Sequence, residues 1–370
     1  MIDLDLHMLR LAARAGWRGF GRVEPNPMVG CVIGREDGTV LGIGHHAIVG
    51  QAHAEAAALE SCRNRSVNPR GATAWVTLEP CAHHGRTPPC VDALTRAGIA
   101  RVVAACPDPN PLAAGGMAKL RDAGIRAEFV ACPEAERLSA PFRKLATTGL
   151  PWVIVKWAQT IDGKIAARTG DSKWISGEAS RRLVHRIRGR VDAILTGIGT
   201  VATDDPLLTA RRVPIRRKAR RCVIDPELAI SDAAALLNDG GEPPVTLFTT
   251  ADSMQSRSAR VDVLRGRGIE VIPHGAGSEV DVRAVLRHLA KHGPATNVLV
   301  EAGPGLISRL LDQQLADELL VFIGGKVIGD ALAPSAVHGR VIEAIADAEQ
   351  WSLRRAARLG PDAVLTYGRA

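Results

Sequence analysis

Hydrophobic and polar residues in the first 147 positions alternate between helical and strand spacing. Apolar residues recur at helical spacing over residues 4–16, and the Pro25-Asn26-Pro27 turn then leads into an apolar strand over residues 28–34. An Asp37-Gly38 turn joins that strand to another over residues 39–44, which is typical of a β-hairpin. Helices are predicted over residues 52–62, 89–98, 117–124 and 134–144, and strands over residues 72–78, 101–106 and 125–130. This alternation predicts an α/β sandwich.

The alternation resumes after residues 147–151, whose Thr-Thr-Gly-Leu-Pro sequence indicates a linker between two domains, 1–147 and 148–370. Strands are predicted over residues 152–156, 192–196, 221–225, 245–249, 269–273, 297–301 and 318–323. Helices are predicted over residues 178–190, 280–292 and 306–314. Residues 231–268 are more charged and give no clear element boundaries. We therefore expect a second α/β domain.

The composition is typical of a soluble protein with about two domains. The chain has 370 residues, of which 46% are hydrophobic, and no apolar run approaches the roughly 20 residues that cross a bilayer. Charged residues within positions 1–16 predict a first helix and not a signal peptide. The seven irregularly spaced cysteines do not form a disulfide framework, so we expect a reducing compartment and hence the cytoplasm. The net charge of +8 suits either nucleic acid or a small phosphorylated substrate.

Four residues in the first half form a pattern for hydrolytic chemistry at zinc: His53, Glu55, Cys81 and Cys90. One imidazole and two thiolates can bind Zn²⁺ and leave its fourth position open for water. Glu55, on the first turn of a predicted helix, can take a proton from that water and return it to a leaving amine. The start of a helix also favours the thiolate form of cysteine.

Two other interpretations of these residues remain open. His83 or His84 could complete a closed structural zinc site, although the eight residues between Cys81 and Cys90 exceed the usual spacing of such sites. The two cysteines could also be ordinary core residues. We expect that buried, apolar role for the other five: Cys31, Cys62, Cys106, Cys132 and Cys222.

His-x-Glu followed by Pro-Cys is the signature of the zinc-dependent cytidine deaminase superfamily. A more specific resemblance comes from four ordered motifs: residues 25–30 (Pro-Asn-Pro-x-Val-Gly), 53–55 (His-Ala-Glu), 79–90 (Glu-Pro-Cys-x-His-x-Gly-Arg-Thr-Pro-Pro-Cys) and 108–111 (Asp-Pro-Asn-Pro). Together they resemble the bifunctional riboflavin-biosynthesis deaminase/reductase family. The resemblance implies a cytidine-deaminase-like three-layer α/β/α domain that hydrolyses the 2-amino group of 2,5-diamino-6-ribosylamino-4(3H)-pyrimidinone 5′-phosphate. It makes His53, Cys81 and Cys90 the zinc ligands and Glu55 the proton carrier.

The same resemblance implies further contacts in the first domain. Asn26 would contact the pyrimidine, and residues 84–87 would lie along the substrate. An asparagine between prolines is also a common turn former, and residues 108–111 could likewise be only a rigid turn. Ser139 stands where the family usually has asparagine, outside the zinc site.

Glycine-containing turns follow two predicted strands of the second half, at residues 197–199 and 303–305. Such turns let the backbone approach a phosphate at a helix start, but alone they are weak evidence. Residues 156–163 (Lys-x-Ala-x-Thr-Ile-Asp-Gly), 172–175 (Ser-x-Trp-Ile), 197–211 and 301–303 (Glu-Ala-Gly) resemble the reductase domain of the same family. This resemblance implies a dihydrofolate-reductase-like α/β domain that uses NADPH to reduce the ribosyl C1′.

Residue by residue, the resemblance divides the reductase positions into two groups. The implied cofactor contacts are Ala158, Trp174, Thr200, Asp204, Gly303, Pro304, Gly305, Leu306, Ile307, Ser308 and Arg309. The implied substrate contacts are Ser172, Arg188, Leu208, Arg211 and Glu301. Guanidinium groups bind two phosphate oxygens at once, so Arg188 and Arg211 are the phosphate candidates. Lys156 and Asp204 would lie near the hydride-transfer centre, or would instead form structural salt bridges.

The basic run over residues 211–221 indicates either a solvated loop or an RNA-binding patch. Two alternatives therefore stand beside the riboflavin enzyme: a nucleic-acid deaminase that uses the same zinc, and a zinc-stabilised RNA-binding protein. The leading prediction is a cytoplasmic, homo-oligomeric enzyme that uses Zn²⁺ and NADPH. We expect it to act on a small phosphorylated pyrimidine and to bind neither nucleic acid nor membrane.

Overall fold

The computed structural model describes residues 2–83, 88–240 and 244–369, without the side chain of Ile2. The chain divides into two compact units, Met1–Leu150 and Pro151–Ala370. Each unit is built on a β-sheet with helices, so the predicted mixed α/β class is confirmed. No helix among the described residues is long and apolar enough to cross a membrane.

The first unit contains a five-stranded sheet in the order β2-β1-β3-β4-β5. Strand β1 runs antiparallel to β2 and β3, whereas β3, β4 and β5 are parallel to one another. The elements in chain order are α1 (Ile2–Gly16), β1 (Gly30–Gly34), β2 (Val40–His45), α2 (Ala54–Asn64), β3 (Thr73–Val76), α3 (Cys90–Arg96), β4 (Arg101–Ala104), α4 (Gly116–Asp122), β5 (Arg126–Phe129) and α5 (Pro133–Thr148).

Alternate residues of the central strands enter two separate apolar clusters, one on each face of this sheet. Val32 and Trp75 pack with residues of α1 and α5. Their neighbours Ile33 and Val76 pack with residues of α2, α3 and α4. Because side chains alternate across a strand, a sheet buried on both faces has to be apolar at nearly every position. The three-layer α/β/α arrangement follows from this pattern.

The second unit contains a nine-stranded sheet in the order β10-β9-β8-β7-β13-β6-β14-β16-β15. The seven strands from β10 to β14 in that order are parallel, and β16 and β15 add an antiparallel hairpin. The strands are β6 (Trp152–Gln159), β7 (Ala193–Gly197), β8 (Arg220–Ile224), β9 (Val245–Thr249), β10 (Glu270–Pro273), β11 (Gly275–Ala276), β12 (Glu279–Val280), β13 (Asn297–Glu301), β14 (Glu318–Ile323), β15 (Trp351–Leu359) and β16 (Asp362–Arg369). The helices are α6 (Glu178–Arg188), α7 (Ile198–Asp204), α8 (Ala235–Asn238), α9 (Ala251–Ser256), α10 (Ser258–Gly266), α11 (Val282–Lys291) and α12 (Pro304–Asp312).

The carboxyl ends of the parallel strands meet at one edge of this sheet. Strands β6 and β13 are neighbours in parallel register, and Glu301 is paired with Lys156. The turns that follow β7 and β13 lead directly into α7 and α12. Loops at this edge of an open parallel sheet are the usual place for a ligand.

Three expectations about elements need correction. Helix α5 continues to Thr148 and ends at Gly149, which adopts φ +68°, so the predicted linker begins inside a helix. The glycine-containing loop that is predicted after β7 is instead the helix α7. Gly199 lies within this helix and does not interrupt it. Strands β15 and β16 have no counterpart among the predicted elements. Most side chains of β15 are half-buried or exposed, so the apolar signal of a core strand is missing there.

Candidate active sites

Helix α2 places two of the predicted zinc-site residues at its start. His53 is the N-cap residue in extended conformation, and Glu55 lies on the first turn with 3% of its surface exposed. Ala54 and Ala58 face the sheet, where they are completely buried. Any residue other than glycine at position 44 of β2 would push this helix away from the sheet, because its Cβ would lie 2.2 Å from the Ala58 nitrogen. The glycine in β2 therefore lets α2 lie directly on the sheet.

The two cysteines reach His53 from the other side. Cys81 lies in the loop after β3, and Cys90 is the first residue of α3. His53 Nδ1 lies 3.5 Å from Cys81 Sγ and 3.3 Å from Cys90 Sγ. The Cys90 backbone N–H donates to Cys81 Sγ at 3.4 Å. The three ligand atoms lie within 4.8 Å of one another.

This group fits a tetrahedral zinc ion. With ordinary Zn–N and Zn–S bonds, neighbouring ligand atoms are separated by about 3.5–3.8 Å, which the His53 distances approach. Within the described part of the chain, no fourth histidine, cysteine or carboxylate joins the three ligands. His83 is exposed and is not among them, whereas His84 lies outside the described residues with the rest of segment 84–87. A structural site closed by His83 is therefore excluded.

Electrostatics at the group favour a thiolate at Cys81 and a protonatable carboxyl at Glu55, whereas the hydrogen bond with Cys81, followed by burial, raises the pKa of Cys90. The hydrogen bond with the Cys90 side chain, against the opposing effect of burial, lowers the pKa of Cys81 to about 4. Burial, followed by the charge of Cys81, raises the pKa of Glu55. The remaining cysteines, Cys31, Cys62, Cys106, Cys132 and Cys222, are all buried and free, so their predicted role as core residues is confirmed.

His46 is a residue of this site that the sequence analysis did not identify. Its ring packs edge-on against His53 with centroids 5.4 Å apart. Its Nδ1 lies 3.1 Å from the Ala52 carbonyl oxygen, and its Nε2 lies 3.4 Å from Nδ2 of Asn26. Asn26 precedes β1 and His46 directly follows β2, so the antiparallel pairing of these two strands brings the two side chains together. A histidine at the end of a hairpin strand, beside a Pro-Asn-Pro turn, was the available signal.

Glu79, the first residue of the Glu-Pro-Cys motif, holds the backbone behind the cysteines. Its side chain is buried and accepts hydrogen bonds from the backbone N–H groups of Asp108 at 3.2 Å and Met117 at 3.0 Å. A Cβ on Gly116 would lie 1.8 Å from the Pro80 carbonyl oxygen, so only glycine allows this approach. Asp108 is half-buried, and burial, followed by the charge of Glu79, raises its pKa. Residues 108–111 thus form a turn attached to the motif that carries Cys81.

Ser139 lies in the core, away from the zinc group. Its hydroxyl donates to the Glu136 carbonyl oxygen at 3.2 Å and lies 3.4 Å from Cys106 Sγ. It is completely buried in α5. The serine therefore has a packing role in this chain, which agrees with its predicted place outside the zinc site.

In the second unit, three predicted residues form one buried ion network. Arg188 Nε donates to Glu301 Oε1 at 2.6 Å, and its Nη2 donates to Oε2 at 3.0 Å. Lys156 Nζ lies 3.4 Å from Oε2 of the same carboxylate. Burial opposes the charge of Glu301, but Arg188 and then Lys156 outweigh it and lower the pKa to about 2. The salt-bridge alternative for Lys156 is thus present in the structure, and its catalytic role stays a prediction.

The two arginines predicted to bind the substrate phosphate differ in their exposure and in the hydrogen bonds that they already make within the protein. Arg188 uses its remaining nitrogen to donate to the Thr209 carbonyl oxygen at 3.2 Å, and its side chain is 13% exposed. Arg211 is exposed and donates to the Thr209 hydroxyl at 2.9 Å. Leu208, beside Thr209, is 1% exposed. Of the two guanidinium groups, that of Arg211 is the one open to a ligand.

Other predicted positions surround the edge where β7 and β13 end. The Gly303 backbone N–H donates to the Thr200 hydroxyl at 2.9 Å, which joins α7 to the turn before α12. The Ser172 hydroxyl donates to Asp204 Oδ1 at 3.1 Å. Trp174 is 60% exposed. These pairs bring residues from three separate stretches of sequence to one edge of the sheet.

Residues 303–309, predicted as a turn, are the N-cap residue and the first part of helix α12, and they only partly face solvent. Gly305 is exposed and no atom lies within 4 Å of a Cβ built on it, so the backbone there is open to a ligand. Ile307 is fully buried, and the Ser308 hydroxyl donates to the His338 carbonyl oxygen at 2.9 Å. The Arg309 side chain is directed to Glu279, 3.5 Å away. The exposed backbone at Gly305, in the first turn of the nine-residue helix α12, fits a dinucleotide diphosphate. The contacts predicted for Pro304, Leu306 and Ala158 stay predictions.

Several side chains of the basic run are engaged within the fold. Arg217 pairs with Asp192, Arg221 with Asp239 at 2.8 Å, and Arg220 with Glu270 at 3.9 Å. These pairs join the run to Asp192 just before β7, Asp239 just after α8 and Glu270 at the start of β10. An RNA-binding role would require these guanidinium groups to bind phosphates, but they already form ion pairs within the protein.

Comparisons with known proteins cover both units. The family described as "RibD C-terminal domain" matches residues 151–365, and the "Cytidine and deoxycytidylate deaminase zinc-binding region" matches residues 3–106. The "Riboflavin biosynthesis protein RibD" of Aquifex aeolicus is 36% identical over 99% of both chains. The protein of the same name from Escherichia coli is 37% identical over 98% of both chains.

Solved structures agree over the whole length. "Acinetobacter baumannii RibD, form 1" superposes with a TM-score of 0.80 and 34% identity, and covers 100% of both chains. The Thermotoga maritima "diaminohydroxyphosphoribosylaminopyrimidine deaminase/5-amino-6-(5-phosphoribosylamino)uracil reductase" superposes with a TM-score of 0.81 and 31% identity, over 100% of this chain and 99% of that one. With identities above 30% across nearly all of each relative, the chain belongs to the RibD family of bifunctional deaminase/reductase enzymes.

Proposed function

We propose that the chain catalyses two successive reactions of riboflavin biosynthesis. The first is the hydrolytic deamination of 2,5-diamino-6-ribosylamino-4(3H)-pyrimidinone 5′-phosphate, which releases ammonia. The second is the NADPH-dependent reduction of 5-amino-6-(5-phosphoribosylamino)uracil to its ribityl product. The observation that carries the proposal is the His53, Cys81 and Cys90 group beside the buried carboxylate of Glu55, in a chain whose second half is of the RibD reductase type.

In the deaminase unit, His53, Cys81 and Cys90 would hold Zn²⁺, which supplies the Lewis acidity that activates water at neutral pH. Glu55 moves the protons. Its carboxylate takes one proton as the water oxygen bonds to C2 of the pyrimidine and gives that proton to the adjacent ring nitrogen. It then takes the second proton from the same oxygen as the bond from C2 to the amino nitrogen breaks, and gives it to that nitrogen, which leaves as ammonia. Because burial raises the pKa of Glu55, the carboxyl exchanges protons more readily near neutral pH than an exposed glutamate would.

Asn26 is our candidate for orienting the pyrimidine. The Ala52 carbonyl oxygen can only accept, so the neutral His46 ring carries its hydrogen on Nδ1 and accepts at Nε2. The Asn26 amide nitrogen therefore donates to His46, which leaves the amide oxygen of Asn26 for the substrate. His46 in this way fixes which end of the Asn26 amide faces the pyrimidine.

In the reductase unit, NADPH supplies the hydride, and the open turn at Gly305 is suited to its diphosphate. Glu301, the last residue of β13, holds the ammonium of Lys156 on the neighbouring strand β6, where a positive charge can orient a polar group of the sugar. Arg211 is exposed and would bind the substrate phosphate, with Arg188 fixed behind it by Glu301. The Ser172 hydroxyl and Asp204 would contact the substrate and the cofactor from the opposite loop.

A cytoplasmic location, a homo-oligomeric state and the absence of nucleic-acid binding belong to this proposal as well. The free cysteines support a reducing compartment, since all seven lie within the described residues without a disulfide. The ion pairs of Arg217 and Arg221 favour the metabolic enzyme over an RNA-binding protein. Deamination of an RNA hairpin, but not of the free pyrimidine nucleotide, would favour the nucleic-acid deaminase instead.

The experiment uses purified, zinc-loaded protein with the diaminopyrimidine ribotide and NADPH, following ammonia and the absorbance of NADPH together. Glu55→Gln should reduce ammonia release by about 10²–10⁴-fold, the range expected for loss of a general acid/base. NADPH oxidation on the separately supplied deaminated intermediate should be unchanged.

Glu60→Gln is the matched control, because Glu60 is an exposed glutamate on the same helix. It should retain both activities. Equal loss of both activities in Glu55→Gln would contradict separate sites, and full ammonia release by that variant would remove Glu55 from the reaction.

A further inference from the structure

Asp162, from the Thr-Ile-Asp-Gly motif after β6, binds a distant part of the second unit. The Ile328 and Gly329 backbone N–H groups donate to its carboxylate at 3.2 and 2.7 Å. The Thr160 hydroxyl donates to Oδ1 at 2.6 Å. The hydrogen bond with Thr160, followed by that with Gly329, lowers the pKa of Asp162 to about 2, so the carboxylate is ionised near neutral pH. We call residues 160–175 the site loop and residues 324–336 the strap.

Further side chains join the site loop to the strap. Arg168 Nε and Nη2 donate to both carboxylate oxygens of Asp330, at 2.5 and 2.6 Å. Lys164 Nζ donates to the Ala333 carbonyl oxygen at 2.8 Å. A paired, planar geometry of this kind fixes direction as well as distance. The first nine residues of the site loop are therefore attached to the strap at several points.

The strap also contacts the far end of the site loop. Lys326 Nζ donates to the Trp174 carbonyl oxygen at 2.8 Å. A Cβ on Gly324 would lie 2.1 Å from the Ile175 carbonyl oxygen, so the two backbones touch there. On the opposite side, the Ser172 hydroxyl and the Lys173 ammonium both reach Asp204 at 3.1 Å. The residues between Arg168 and Ile175 are thus held between the strap and the end of α7.

We propose that Asp162 is a positioning residue for the reductase reaction: through its bonds to the strap it sets the place of the site loop, and so of Ser172 and Trp174. The inference rests on the proposed reductase function, in which those two residues contact substrate and cofactor. Asp162 itself touches neither. The motif Thr-Ile-Asp-Gly thereby acquires a role that its sequence alone does not reveal.

Asp162→Asn tests this inference, because the amide has one accepting oxygen and presents N–H groups where the strap presents its own. The KM for NADPH should rise about tenfold, as for loss of one or two hydrogen bonds to a charged group, with a smaller change in kcat. Ammonia release by the same protein should be unchanged. Asp262→Asn is the matched control: Asp262 is an exposed aspartate on α10 whose side chain has no hydrogen bond among the described residues.

A charge exchange gives a second, independent measurement. Arg168→Asp should raise the KM for NADPH in the same direction, and adding Asp330→Arg should restore it at least partly. Wild-type KM values in both Asp162→Asn and Arg168→Asp would overturn the proposal. If the wild-type protein itself oxidises no NADPH with the deaminated intermediate, the proposed reductase function fails, and this inference fails with it.

Discussion

The zinc group and the Lys156-Arg188-Glu301 network represent two ways to assemble a site. The zinc group draws on His53, Cys81 and Cys90, which are at most 37 positions apart in the chain. His53 and Cys90 lie at the starts of helices, and Cys81 lies in the loop after β3. The ion network draws on residues separated by up to 145 positions, which are brought together by the parallel pairing of β6 with β13 and by α6, which ends at Arg188. A local site depends on caps and turns, whereas a distributed site depends on the whole unit being folded.

The largest expected effect concerns the local site. Cys90→Ser should remove most of the bound zinc, because a serine hydroxyl is a poor ligand for this metal. Elemental analysis after dialysis should find close to one zinc per wild-type chain and almost none in the variant. Cys106→Ser is the control, since Cys106 is another buried cysteine of the same unit and donates to the Thr77 carbonyl oxygen.

Zinc retained by Cys90→Ser at the wild-type level would show that another residue completes the site. Loss of zinc in Cys106→Ser as well would indicate that general unfolding, and not ligand removal, is the cause. Secondary structure of Cys90→Ser should remain close to that of the wild type, because the sheet and helices of the first unit pack through apolar residues. Circular dichroism measures this directly.

The next effect concerns the distributed site. Glu301→Gln leaves the Arg188 and Lys156 cations without their carboxylate, and the Arg188 side chain is only 13% exposed. Breaking a buried pair in this way costs about 3–5 kcal/mol of unfolding free energy. Urea unfolding followed by circular dichroism should record the loss, with NADPH oxidation reduced in parallel.

Asp232→Asn provides the contrast. Asp232 also pairs with two arginines, Arg260 and Arg267, but its side chain is 62% exposed. Water screens such pairs, so the unfolding free energy should barely change. Equal effects of the Glu301 and Asp232 substitutions would contradict the claim that the network stabilises the second unit through burial.

The smallest effect is on the pH dependence of the second unit. Burial, followed by the charges of His274 and His292, lowers the pKa of His288 to about 4. Its ring also packs against Phe248, with centroids 5.6 Å apart. The folded state thus stays neutral where the unfolded state takes up a proton. Stability is full above about pH 6.5 and falls as the pH drops towards 4.

His288→Phe should flatten that decline, because the variant has no group to titrate at this position. Thermal melting of the wild type and the variant from pH 4 to pH 7 measures the difference. His338→Gln is the control, since His338 is exposed and holds Ser308 through its backbone. An unchanged slope in His288→Phe would assign the acid sensitivity to other groups.

Much of the fold follows from apolar periodicity. Strands such as β1, β9 and β13 are buried along their whole length, and the sequence predicts them because most of their residues are apolar. The β15–β16 hairpin escapes prediction because its side chains are mainly half-buried or exposed and β15 carries several arginines. The sequence predicts a loop where α7 lies because glycine lowers helix propensity, but Gly199 lies inside this helix without interrupting it.

The sequence predicts more of the zinc group than of the ion network in the second unit. The candidate zinc ligands lie in two short motifs, residues 53–55 and 79–90, whose residue types and spacing indicate their chemistry. Arg188 can be identified by resemblance, but its pairing with Glu301 cannot, because the two residues are separated by 113 positions. The same limit applies to Arg217 and Arg221, whose carboxylate partners no local pattern indicates.

The alignment of Glu301 with Lys156 on adjacent parallel strands constrains how relatives of this chain can diverge. Gain or loss of a single residue within either strand would turn one of the two charges to the opposite side of the sheet. The paired segments 152–156 and 297–301 must therefore keep the same length, and insertions or deletions accumulate elsewhere. Relatives should differ in size mainly at the connections between strands, while the spacing from the start of each of these two strands to its charged residue stays constant.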